Sequence, residues 1–134
     1  MTPSIDINET DRHHLQLLSV FHKVYGWLCL LGLLGLLAHF AFAAFLFFYQ
    51  DFAESGFNSI FAVFIVFYLI GALILIALAI ANFKAAGALA DLRSKTLCFV
   101  VACVNCLNMP IGMVLGIFTI IVIMRPQVSD AFRS

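Results

Sequence analysis

The stretch Leu97–Arg125, LCFVVACVNCLNMPIGMVLGIFTIIVIMR, decides the fold. It is one apolar run whose middle holds Asn105, Asn108, Pro110 and Gly112. As a single straight helix it would leave Arg93 and Lys95 on one side of a membrane and Arg125 and Arg133 on the other. As a hairpin bent at Asn108–Gly112 it returns all four to the same side, as the cytoplasmic excess of Lys and Arg requires. Pro110 lacks a backbone donor and clashes with the preceding turn, and Gly112 supplies permissive backbone just after it. The hairpin is therefore the expected form, with a single kinked span as the alternative. Each arm has roughly 15 residues against the roughly 20 of a full span, so the tip is expected below the far surface. Its backbone must there be covered by other helices or wetted by a cavity.

Composition agrees with a bilayer. Of 134 residues, 64% are hydrophobic and 10% charged, and the mean hydropathy of +1.11 lies far outside the soluble range. Seven basic and seven acidic residues cancel, so there is no basic field for nucleic acid. Cys29, Cys98, Cys103 and Cys106 all fall in apolar segments and read as reduced thiols, not as a disulfide framework.

The first span is expected from about Val24 to Tyr49, with Tyr25 and Trp27 at one end and Tyr49 at the other as interfacial aromatics. Before it, Leu15, Leu18, Phe21 and Tyr25 recur at helical spacing, which suits either an N-terminal interfacial helix or the cytoplasmic end of a long first helix. Gly32, Gly35 and Ala38 give the first span a small face for close helix approach. Gln50–Ser59 is an acidic turn without Lys or Arg, and the second span runs from near Ile60 to about Asn82. The connector that follows carries Lys84, Arg93 and Lys95 and is expected in the cytoplasm. Gly112 and Gly116 form a small-xxx-small pair on the last arm. The expected fold is thus all-α, an integral membrane helical bundle of four transmembrane segments: two long, then the short hairpin. Its organisation is a cytoplasmic tail and amphipathic helix over 1–23, one transmembrane domain over 24–125 and a cytoplasmic tail over 126–134.

Two stretches, LLSVFHKVYG and LNMPIGMVLGIFTIIVIMRPQV, carry a resemblance. Through Leu107, Asn108, Pro110, Gly112, Leu115, Gly116, Phe118 and Thr119 the chain resembles a group of small multi-pass bacterial inner-membrane proteins with an LNxPxGxxLGxFT signature. Met113 stands where threonine often follows that glycine. The resemblance implies a bacterial inner membrane and four helical segments, and brings no activity with it.

Chemistry is sparse. No Ser-His-Asp set, carboxylate pair or phosphate-binding loop is present, and no catalytic residue, metal site or cofactor is assigned. His22 and His39 are the weak candidates for a haem or other ligand; they stand about 25 Å apart along a helix and do not converge. His39 draws interest because ionisable residues at membrane depth are often functional. Cys103-Val-Asn-Cys106 has CxxC spacing but lies inside an apolar arm. Asn105 and Asn108 share a helix face and are expected to bond across the hairpin or to a neighbouring subunit, because an unpaired amide is costly in hydrocarbon. The leading expectation is a non-enzymatic membrane protein acting by association, as a homo-oligomer or as an accessory subunit among other membrane subunits and lipid, with both termini cytoplasmic. The alternatives are a small oligomeric channel or transporter whose path passes Asn105, Asn108, Pro110 and Gly112, and a haem- or metal-holding electron-transfer subunit.

Overall fold

The computed structural model of the chain describes residues 7–49 and 57–132, with side chains in the second stretch from Ile60 onward. The described residues form α1 (Glu9–Tyr49), α2 (Phe57–Ala90), α3 (Lys95–Cys106), α4 (Ile111–Ile123) and α5 (Pro126–Ala131), with no strand among them. Most of the acidic turn at 50–59, together with Arg133, lies outside this description.

α1 is one unbroken helix of 41 residues, so the segment before Val24 continues straight into the apolar run. α1 and α2 are each long and apolar enough to cross a bilayer, with mean hydropathies of 2.3 and 3.1 over their 18-residue windows. α3 and α4 are not. Their 12 and 13 residues reach about 18 and 20 Å at 1.5 Å per residue, short of a hydrocarbon layer of roughly 30 Å. The chain does reverse between them, through Leu107–Pro110, but two full extra spans are not what these lengths supply.

By its contacts the chain divides into two units, Met1–Gly26 with Ile80–Ser134, and Trp27–Ala79. This division cuts across the region 24–125. The first unit packs the start of α1, the end of α2 and all of α3, α4 and α5 around a core of Leu15, Leu18, Leu89, Cys98, Leu115, Val122, Ile123 and Val128. Asp11 near the start of α1 takes an ion pair from Arg125 at 2.6 Å, and Lys95 donates to Ser129. Those bonds gather the base of the hairpin beside the start of α1.

The α3–α4 contact is closer than ordinary side chains allow. A Cβ on Gly112 would meet the Asn105 carbonyl at 2.6 Å and the Tyr25 hydroxyl at 2.8 Å. One on Gly116 would strike the Ala102 carbonyl and Cys106 Sγ. The small-xxx-small pair therefore brings α4 onto the backbone of α3 inside one chain.

The second unit holds Trp27–Tyr49 of α1 and Phe57–Ala79 of α2. No charged residue occurs among its described residues. Its two helices meet through Phe47 stacked on Phe61 with centroids 4.2 Å apart, Leu36 lying 3.6 Å from where a Cβ on Gly71 would be, and Tyr68 against both Phe40 and His39. Cys29 and Ala79 are its only buried described side chains, and most of its large apolar residues are exposed.

Candidate functional site

The polar residues of the first unit converge on its core. On α1, His22 shares a buried stripe with Leu15, Leu18, Ser19 and Gly26, the spacing that puts side chains on one helical face. On α2, Asn82 lies between Ala79 and the buried Ala85, Ala86 and Leu89. On α3, Asn105 follows Val101 and Ala102, and on α4, Thr119 follows Leu115 and Gly116. The neighbours are small enough to bring four helices within reach of short polar side chains. All four polar residues are fully buried at 0% exposure.

The bonds close on themselves. His22 Nδ1 lies 2.8 Å from Asn82 Oδ1, and Nε2 lies 3.1 Å from Thr119 Oγ1. Asn105 Nδ2 donates to Asn82 Oδ1 at 2.7 Å, and Asn82 Nδ2 returns a bond to Asn105 Oδ1 at 3.2 Å. Thr119 Oγ1 also lies 2.7 Å from the Leu115 carbonyl, one turn earlier. Ser19 donates to the Ala86 carbonyl at 2.7 Å and pins α1 to α2 beside the cluster. No buried side-chain nitrogen or oxygen among the described residues is left without a partner.

Proton counting restricts the imidazole. Asn82 Oδ1 can only accept, so Nδ1 must carry a hydrogen. If Thr119 then gives its one hydroxyl proton to Leu115, Nε2 must also donate and the ring is an imidazolium. If Thr119 gives that proton to Nε2 instead, the ring is neutral. The second arrangement leaves no net charge in an enclosed core and is the one we adopt.

Sequence reasoning singled out His22 and Asn105, and the structure places both in this cluster. It missed Asn82 and Thr119. Asn82 stands at the expected end of the second span, and its amide among Ala79, Ala81, Ala85 and Ala86 is the signal of a helix contact needing a polar partner. The partner of the Asn105 side chain is this α2 amide, where the sequence suggested the facing arm or a neighbouring subunit. Asn108 is half-buried in the turn, where its carbonyl accepts from the Met113 amide, and Pro110 is exposed just before α4. Gly32, Gly35 and His39 belong to the second unit, where all three are exposed.

The chemistry of the cluster is that of a clamp. Both ring nitrogens of His22 are engaged and the ring is enclosed, so ligation of haem or metal there would break a bond and open the core. A water or ion path along Asn105 would need the amide pair to part. Among the described residues no group of three or more His, Cys, Asp or Glu side chains is placed to hold a metal ion, and the four cysteines are free. No protein-family model, no curated protein and no solved structure matches the chain.

Proposed function

We propose that this chain is a helical protein of the bacterial inner membrane that works by association, its two long helices offering lateral faces to other membrane helices. The observation that carries this reading is the bareness of those helices. None of the most apolar 18-residue stretch of α1 is buried, and only 11% of that of α2. Hydrocarbon, or other helices within it, must cover such surface. Within the second unit Gly35 has no atom within 4 Å of the place a Cβ would take, so α1 keeps an unused point of close approach of the kind that favours helix pairing in lipid.

The reading extends to topology. Arg12, Lys23, Lys84, Arg93, Lys95 and Arg125 all fall in the first unit, and this excess of basic residues supports a cytoplasmic position for that unit and both termini. The α3–α4 hairpin, with no charged residue from Thr96 to Met124 and its tip reaching the level of Tyr25, then lies on that side, before the apolar stretch that begins at Trp27. The buried amides do not call for a partner, because Asn82 and Asn105 satisfy each other. The bare spans do.

The test is extraction of the native chain into polymer-bounded lipid discs, followed by mass photometry and identification of the proteins present. The expected result is a particle containing more than one polypeptide. Discs holding a single copy and nothing else would overturn the reading.

A further inference from the structure

His39 and Tyr68 are a polar pair placed where polar groups are least welcome. His39 stands near the middle of Trp27–Tyr49 and Tyr68 at the middle of Phe57–Ala79. Each is about 15–18 Å along the helix from either end of its segment in the second unit, about half the thickness of the hydrocarbon layer such a segment would cross. Neither side chain is long enough to reach headgroups from that depth. Their rings stack, centroids 5.9 Å apart and planes 25° from parallel. Donors and acceptors of both rings lie in the ring planes, so stacked rings cannot bond to each other and turn these groups outward. Neither the imidazole nor the phenol hydroxyl has a hydrogen-bond partner among the described residues. His39 is exposed, and Phe40, 5.1 Å from Tyr68, holds the phenol in place.

The contrast with the first unit is instructive. There, Ser19, His22, Asn82, Asn105 and Thr119 are all bonded. A chain that closes its polar contacts between helices there yet leaves this pair open, in a unit with no charge among its described residues, presents it to something outside itself. Acyl chains have no donor or acceptor to offer.

We infer that the occupant is a second copy of this chain, paired about a two-fold axis along the membrane normal so that His39 of each protomer bonds the partner's Tyr68. A neutral imidazole has one donor and one acceptor, and so does a phenol, so the pair is its own complement and a two-fold arrangement satisfies both copies at once. Gly35, exposed one turn before His39, lets the two backbones approach closely enough for an imidazole to reach across. This inference rests on the reading that the chain acts by association, and it names the partner.

The experiment uses the full chain in lipid vesicles, carrying donor or acceptor fluorophores, with energy transfer measured as the protein-to-lipid ratio is lowered. The expected result is transfer between copies that His39→Phe and Tyr68→Phe each weaken by about tenfold or more in apparent dissociation constant. His39→Gln, which keeps a donor and an acceptor, should recover much of the loss, and Gly35→Leu should abolish transfer. Leu34→Phe, about 140° round the helix from His39, should leave it unchanged. Helical circular dichroism equal to wild type would show that the variants fold. Transfer insensitive to His39, Tyr68 and Gly35 would overturn this face as the contact. Absence of transfer while a different subunit co-isolates in native discs would overturn the second copy and leave the association reading standing; a solitary chain in both experiments would remove both.

Discussion

At the scale of single residues, the His22–Asn82–Asn105–Thr119 cluster has more influence on stability than its size suggests. A buried hydrogen bond adds about 1 kcal/mol net, but an orphaned buried donor or acceptor costs about 1–3 kcal/mol. Asn105→Leu removes both bonds that Asn105 exchanges with Asn82, and Asn82→Leu strands both the Asn105 amide and the Nδ1 hydrogen of His22. Each single change should therefore destabilise by about 2–3 kcal/mol. The double Asn82→Leu, Asn105→Leu variant leaves neither amide facing a missing partner and should fall short of the sum by about 1–2 kcal/mol. Denaturant unfolding in detergent micelles, read as a double-mutant cycle, measures that shortfall; strict additivity would mean that the reciprocal amide bonds contribute nothing.

At the scale of elements, the fold depends on two local solutions, one in α4 and one in the connector between α2 and α3. Gly116 lies on the α3 backbone, with the Ala102 carbonyl and Cys106 Sγ where a Cβ would go. The α3 backbone cannot yield as a flexible side chain would, so Gly116→Ala should cost about 1–3 kcal/mol by overpacking, measured as a fall in Tm. The same change at Gly87, which has nothing within 4 Å, should if anything stabilise α2 through helix propensity. The connector shows the opposite economy. α2 ends with the Arg93 amide donating to the Ala88 carbonyl at 2.8 Å while Leu92 sits at φ 53°, the left-handed cap that glycine usually fills. Leu92 also packs against the core, which offsets its strained backbone. Ser94 at φ 52° is exposed, with no side-chain cap bond and no such compensation. Ser94→Gly should raise stability by about 0.5–1 kcal/mol, the relieved strain exceeding the added freedom of the unfolded chain. A lower Tm for that variant would show that the serine holds something there.

At the scale of the whole molecule, what was legible in the sequence and what was not divide along physical lines. Hydropathy and length make α1 and α2 plain, and Pro110 with Gly112 makes the reversal plain, because these signals are local. The identity of the polar partners was not legible, since the bond from Asn105 to Asn82 depends on which faces of α2 and α3 meet, and a pattern of alanines fits several rotations. Nor did the arm length decide between short spans and a re-entrant hairpin, because the same apolar run suits both. Charge placement turns that last question into a prediction. With the six described Lys and Arg residues of the first unit on the cytoplasmic side, single cysteines placed at Ser94 and at Gln127 in a chain lacking its four native cysteines should react with a membrane-impermeant thiol reagent only from that side. Gln127 is exposed at the start of α5, and its labelling does not disturb the core. A cysteine at Leu107, 84% exposed at the hairpin tip, separates the remaining cases. If α3 and α4 crossed fully, the tip would be open to the reagent from the periplasm. As a hairpin of about 20 Å whose tip reaches only the level of Tyr25, it should stay unreactive from that face in intact cells and react only after detergent is added. Periplasmic labelling of Leu107→Cys in intact cells would return the hairpin to two complete spans.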